Sequence, residues 1–343
     1  MNDRAHSFDA NILSEYLQRN VEGFRGPLTA KKFADGQSNP TFLLNAASGK
    51  YVLRRQPSGQ LLKSAHAVDR EFRVQSALTN TDVPVAKMYH LCKDTTIIGS
   101  MFYVMSFETG RIFWDPALPE IERDQRSVYY DELIRILAAL HNVNIDKAGL
   151  RDYGRTGNYF ERQIGLWEKQ YRAAETRRID TMEQLLDWVR CHCPADDGQL
   201  TLVHGDYRID NVMFCSGSPL GLAVLDWELS TLGHPFADLA FFCMCLRLPD
   251  RGHIIGLGEK DRVAMGIPSE AEILRRYCEL RGIDVIDHWH FYLAFSFCRF
   301  AAILQGVFKR GLDGNASSER ATKLGEMVEP LALSALRIVA QAF

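Results

Sequence analysis

Four polar side chains, carried in two short apolar runs, have the types needed to move a phosphoryl group. His204, Asp206 and Asn211 interrupt the run LVHGDYRIDNVMF at 202–214, and Asp226 closes a second run, LAVLDWE, at 222–228. A carboxylate can orient a hydroxyl and take its proton, the part read for Asp206. Magnesium takes hard oxygen donors and keeps several waters, so one amide oxygen and one carboxylate can hold it beside a triphosphate. Asn211 and Asp226 supply those groups, and His204 reads as a support for the loop through hydrogen bonds. The bland alternative is that Asp206 caps a turn and Asp226 ends a strand.

These residues need elements to position them. SGSPLG at 216–221 is a turn signal between the runs, so the two runs are expected to pair as a hairpin. The spacing H-x-D-x-x-x-x-N with a later aspartate matches the protein-kinase catalytic loop and its D-F-G aspartate. HGDYRIDNVMF followed by VLDWELSTLGHPFADLA resembles the aminoglycoside phosphotransferase-like kinases. More closely, it resembles the kinase-like domain that accompanies acyl-CoA dehydrogenase domains.

That resemblance implies an α+β, two-lobed protein-kinase-like fold. An N-terminal antiparallel-sheet lobe would span 1–107, and a larger helical lobe with the catalytic loop and acceptor site would span 108–343. It implies ATP and Mg2+ as cofactors. A phosphate-covering loop falls at 34–40, which puts Gly36, Gln37, Ser38 and Asn39 near the phosphates, although one glycine departs from the glycine-rich kinase loop. Arg54 stands where kinases carry a strand lysine; an arginine is permanently charged and can bind phosphate bidentately. Its neighbour Arg55 is expected to face solvent. Glu71 falls where the kinase glutamate pairs with the strand cation. SFETG at 106–110 resembles the hinge, with the Ser106 carbonyl and Glu108 amide near the adenine and Met105 behind it. Asp238 matches the family aspartate that accepts hydrogen bonds from the catalytic-loop backbone.

The flanking elements fit this plan. An N-terminal helix is expected within 1–24, then strand, loop, strand, turn, strand over 28–56 and an amphipathic helix over 61–80. Two strands follow at 83–92 and 96–110, and helices at 131–143, 157–193, 269–282 and 287–310. The Gly-containing stretch 249–270 reads as a long loop. His141 at a helix end reads as structural. Arg299, inside the most apolar helix, requires a partner or a ligand.

Composition bounds the rest. The chain of 343 residues is 46% hydrophobic and 24% charged, ordinary for a soluble globular protein. A net charge of −3 argues against a nucleic-acid surface. No apolar run reaches about 18 residues and no signal-peptide core is evident, so no membrane span and a cytoplasmic location are expected. Eight cysteines without zinc-ribbon spacing read as free thiols. The leading function is an ATP-dependent kinase acting on a small-molecule hydroxyl. Gly205 replaces the kinase arginine that would hold a phosphorylated activation segment, which points the same way. Arg178, Arg208 and Arg299 favour an anionic acceptor, such as a hydroxyacyl thioester, with a functional link to an acyl-CoA dehydrogenase. His234, where many aminoglycoside kinases have aspartate, tells against an antibiotic acceptor. An aminoglycoside-type kinase and a catalytically weak nucleotide-binding pseudokinase remain the alternatives.

Overall fold

A computed structural model describes residues 8–33, 39–57, 67–252, 254–313 and 320–341. The chain forms two compact units. One takes in Met1–Ile112, Asp146–Leu150 and Val212–Ser230; the other takes in Phe113–Ile145, Arg151–Asn211 and Thr231–Phe343. A single division after residue 107 does not describe this, because the chain returns to the first unit twice.

The first unit is built on a five-stranded sheet: β1 (Leu28–Lys32), β2 (Thr41–Ala46), β3 (Gly49–Arg55), β4 (Met88–Cys92) and β5 (Phe102–Ser106). All its pairings are antiparallel, in the order β1-β2-β3-β5-β4. Helix α1 (Ala10–Asn20) is capped by the Asp9 side chain and buries Leu13 and Leu17. These join Phe42, Leu44, Tyr51, Leu53, Phe102 and Val104 in one core. Strand side chains alternate between faces, so Arg54 and Tyr103 point to the other side. There α2 (Val68–Leu78) packs against β4 and β5.

Arg55 does not face solvent as expected. It shares its face with Tyr51 and Leu53, is 2% exposed, and its Nε donates to Ser100 Oγ at 2.8 Å. Both faces of β3 are covered, so two consecutive arginines are both withdrawn from water. The stretch 96–110 is not one strand either. A turn closed by Gly99 N–H on the Thr95 carbonyl, at 2.8 Å, precedes β5.

A second, three-stranded sheet completes this unit. The strand β8 (Val212–Cys215) pairs antiparallel with β6 (Gly110–Ile112) on one side and β9 (Gly221–Val224) on the other. The expected hairpin is therefore β8–β9. The apolar residues before the catalytic loop are not part of it: β7 (Thr201–Val203) pairs with β10 (Thr231–Gly233) in the second unit.

The rest of the second unit is helical: α3 (Arg126–His141), α4 (Tyr159–Ala174), α5 (Asp180–Cys191), α6 (Phe236–Arg247), α7 (Glu270–Arg281), α8 (Trp289–Leu312), α9 (Arg320–Leu324) and α10 (Val328–Ala340). Helix α7 starts in a full capping box between Ser269 and Glu272. Helix α8 packs against α4, α6 and α10. By length and composition it could cross a membrane, contrary to the expectation from run length. Of its most apolar stretch, 78% is buried inside the protein, as in a core helix.

Candidate active site

In the first unit, Glu71 on α2 collects the polar groups of the sheet's inner face. Its side chain is 3% exposed and lies 2.7 Å from Arg54 Nε. It also accepts from Asn39 Nδ2 at 2.7 Å and from the Tyr103 hydroxyl at 3.0 Å. A carboxylate taken out of water is tolerable only when paired and hydrogen-bonded, and these donors meet that need. Asn39 is thus buried and turned to Glu71. Gly36, Gln37 and Ser38 lie outside the described residues.

Arg54 reaches beyond Glu71. Its Nη2 lies 3.1 Å from Asp226 Oδ1 and 3.9 Å from Glu228 Oε2. Burial works against the cation, but Tyr103, Glu71, Asp226 and Glu228 outweigh it and raise its pKa above the ordinary arginine value. Asp226, just after β9, holds the left-handed conformation at φ 60° and ψ 62°. A residue with a Cβ pays about 1–2 kcal/mol for that, and such strain collects at functional sites. The turn is fixed from behind: Trp227 is 1% exposed, its Nε1 donates to the Val224 carbonyl at 2.9 Å, and Ser230 Oγ donates to the Trp227 carbonyl at 2.6 Å. The Asp226 side chain itself is 41% exposed.

The hinge residues sit at the end of β5 in the same unit. Met105 pairs in register with Val52 and Met88. Ser106 donates its N–H to the Lys87 carbonyl at 2.9 Å, and its hydroxyl donates to the Glu108 carboxylate.

In the second unit, the catalytic loop leaves β7 and is gripped from α6. Asp238, 1% exposed, accepts the His204 N–H on Oδ2 at 2.6 Å and the Gly205 N–H on Oδ1 at 2.8 Å. Burial would raise its carboxyl, but hydrogen bonds from His141 and the His204 backbone hold it below the usual range. Behind it, His141 on α3 approaches Asp238 Oδ2 at 3.4 Å and shares a 2.6 Å hydrogen bond with the Tyr277 hydroxyl of α7. Burial lowers the His141 pKa, which favours the neutral ring. His204 is fully buried, and its Nδ1 accepts the Asp206 N–H at 3.2 Å. It is therefore a backbone support.

Asp206 carries the carboxylate that the motif places on this loop. Burial pushes its pKa up, against the opposing pull of Arg208, His204 and Arg299. Asn211 donates both to the Asp206 carbonyl, at 2.8 Å, and to Oδ2, at 3.1 Å. With its N–H groups so directed, Asn211 keeps an oxygen as the part suited to a cation. That amide oxygen and, in the first unit, the half-exposed Asp226 carboxylate are each, taken separately, hard donors of the kind magnesium takes, so the residue types fit the ion.

Gly205 has φ +85°, the left-handed region where a Cβ is costly. Replacing it by alanine should lower stability by about 1–2 kcal/mol, read from the midpoint of urea unfolding. An unchanged midpoint would mean the loop does not hold this conformation.

The three arginines read as acceptor contacts are all engaged within the second unit. Arg178 pairs with Asp180 at 2.9 Å, and Arg208 forms a two-point pair with Asp210. Arg299 donates to the Gly205 carbonyl at 2.5 Å. Sequence reasoning did not find Tyr103 or Tyr277. Their roles appear only once the strand face and the helix neighbours are known.

A family model described as the phosphotransferase enzyme family matches residues 29–265. Acyl-CoA dehydrogenase family member 10 of Mus musculus is 47% identical over 308 residues, covering 90% of this chain and 29% of that protein. Acyl-CoA dehydrogenase family member 11 of Homo sapiens is 41% identical over 343 residues, covering 98% and 44% respectively. The chain thus spans less than half the length of these relatives. A crystal structure from Ralstonia eutropha JMP134, described provisionally as an aminoglycoside phosphotransferase, superposes with a TM-score of 0.91 at 45% identity, covering 98% of this chain and 99% of that one. A thermostable mutant of aminoglycoside phosphotransferase APH(4)-Ia, at 14% identity, shares the fold with a TM-score of 0.62 over 96% and 99% of the two chains. With its motif loop held as described, the chain belongs to the phosphotransferase enzyme family and has the kinase-like fold of the aminoglycoside phosphotransferases.

Proposed function

We propose that the chain is an ATP- and magnesium-dependent small-molecule O-kinase whose acceptor is a hydroxyl on an anionic metabolite of the hydroxyacyl-CoA type. The observation that carries this reading is the catalytic loop, where a partly buried carboxylate stands on a backbone fixed by buried Asp238. In the reaction the acceptor oxygen bonds to the γ-phosphorus and the bond to the β,γ-bridging oxygen breaks. ADP leaves, and the hydroxyl proton passes to Asp206. Catalysis of this kind is positioning and electrostatics: Asp206 orients the hydroxyl, and Arg54, steadied by Glu71, meets the donor's phosphates. Bound magnesium, held by Asn211 and Asp226, would neutralise phosphate charge. Asn211 and Asp226 belong to different compact units, so this chemistry requires both to serve one nucleotide.

A nucleotide donor and a hydroxyl-bearing acceptor agree with the ternary complex of APH(4)-Ia with AMP-PNP and hygromycin B. The acyl acceptor is supported by the relatives that carry an acyl-CoA dehydrogenase name. With Arg178, Arg208 and Arg299 satisfied internally, those names are its main support. We also place the protein in the cytoplasm, in functional partnership with an acyl-CoA dehydrogenase; eight free cysteines agree with a reducing compartment.

The test is ADP release from ATP with matched panels of hydroxyacyl-CoA thioesters and aminoglycosides. Turnover with the thioesters is expected. Turnover with the antibiotics alone would overturn the acceptor assignment. Stabilisation by ATP and magnesium without transfer to any acceptor would favour a nucleotide-binding module instead.

A further inference from the structure

A narrow cleft opens beside the catalytic loop, and all its walls belong to the second unit. One wall is Arg208–Asp210, just after Asp206. Facing it are Phe242 and Leu246 of α6 and Leu248 just past the helix, each 1–2% exposed. The Cys245 thiol of the same wall is kept protonated chiefly by burial, and the Asp206 charge adds to that against the pull of Arg208. This wall therefore lies within electrostatic reach of Asp206. The mouth carries Trp114, 68% exposed, and Ile255, 43% exposed. A single apolar residue on a surface is ordinary. Two large ones at the rim of an apolar cleft are a place for an apolar guest.

Ile255 belongs to the stretch 249–270, read from the sequence only as a long loop. Its segment 254–258 is folded back on the end of α6. The Gly256 N–H donates to the Pro249 carbonyl at 2.8 Å, the Leu257 N–H to the Leu246 carbonyl at 3.0 Å and the Gly258 N–H to the Leu248 carbonyl at 2.8 Å. A Cβ on residue 256 would collide with the carbonyl oxygens of Leu248 and Cys245. Only glycine lets the segment approach the helix end this closely. These bonds hold Ile255 at the rim.

The chemistry of the cleft selects its guest. Arg208 and Asp210 are the charged groups on its walls, and they are paired with each other at two points. Neither charge is left over for a polycation or a phosphate. At about 20 Å3 the cleft is a slot between side chains, open at the surface, so its guest must be slender. A methylene chain is slender and uncharged, and it gains by leaving water. We infer that this cleft seats the aliphatic chain of the acceptor, gripped at the mouth by Trp114 and Ile255, with the segment 254–258 setting the preferred chain length. The inference rests on the acyl acceptor proposed above. A chain held along residues 208–210 keeps the hydroxyl-bearing carbons of the same molecule beside the catalytic loop.

The experiment has two arms, both on the full chain. In the first, saturated acyl-CoA thioesters of increasing length, with no hydroxyl on the chain, are titrated calorimetrically. Each added methylene should tighten binding by about threefold in the wild type. Trp114→Ala and Ile255→Ser should flatten the series to less than about twofold per methylene and weaken the longest thioester by about tenfold. Val285→Ser, at an equally exposed apolar residue outside the cleft, should leave the series as it is. Gly256→Ala should flatten it by lifting the segment off α6; if that variant does not melt cooperatively, the two surface variants carry the comparison. In the second arm, hydroxyacyl-CoA thioesters of matching lengths are followed by ADP release. There kcat/KM should rise with length, and the Trp114 and Ile255 variants should lower it through KM, with kcat within about twofold. A binding series that is flat in the wild type, or as steep in these variants as in the wild type, would overturn the inference. The two claims fail separately. Turnover of the thioesters with a length dependence that the variants do not alter removes the cleft and leaves the proposed function standing. Turnover of no thioester removes the acyl acceptor, and the binding series alone then judges the cleft.

Discussion

Asp206→Asn is expected to lower turnover by about 10²–10⁴-fold, the range supplied by a positioned acid–base group, with ATP affinity almost unchanged. The substitution keeps the size and polarity of the side chain. The Asp238 clamp on the His204 and Gly205 amides should survive, because it engages backbone and not Asp206. The Asn211 contacts to the residue 206 carbonyl should survive for the same reason. What is lost is the carboxylate proposed to accept the hydroxyl proton. Because that interaction develops in the transition state, kcat and kcat/KM should fall together. Steady-state kinetics with the best acceptor of the thioester panel, set beside calorimetric ATP binding, measures both. Turnover within a fewfold of wild type would remove Asp206 from the role.

Arg54→Met should have the second-largest effect, and it should act on two quantities at once. Glu71 would keep its burial, at 3% exposure, and lose its cation. Stranding one partner of a buried pair costs about 3–5 kcal/mol, so a marked fall in the unfolding midpoint is expected. ATP affinity should fall as well, since Arg54 is the cation proposed to meet the phosphates. Adding Glu71→Gln removes the stranded charge while keeping a polar side chain near Asn39 and Tyr103. The double variant should recover much of the stability and none of the ATP affinity. Recovery of both would make Arg54 a structural residue only, while loss of neither would show that Glu71 does not depend on it.

Much of this was legible in the sequence because it is local. The H-x-D-x-x-x-x-N spacing lies within one loop, and its members are gathered by a few backbone hydrogen bonds. Arg54 and Glu71 lie on neighbouring elements of one unit, and strand alternation alone puts Arg54 and Tyr103 on the face that α2 covers. The same alternation did not reveal the fate of Arg55, since a strand pattern does not say that α1 closes its second face. The apolar residues on both sides of the catalytic loop look alike, yet β7 goes to β10 and β8 to β9. That choice depends on strand partners distant in sequence. The acceptor reading of Arg208 and Arg299 had the same weakness: a charge count cannot see Asp210 two residues away folding back, or a glycine carbonyl brought to the middle of α8. The His141–Tyr277 pair joins helices 136 residues apart, and no spacing rule reaches that far.

The most direct test of the central claim is phosphorus NMR of the purified chain with ATP, magnesium and a hydroxyacyl-CoA thioester. A new phosphate monoester signal, growing in step with ADP and lost in the Asp206→Asn variant, is the expected result. ATP that binds but yields neither monoester nor ADP, across every hydroxyl acceptor offered, would contradict it.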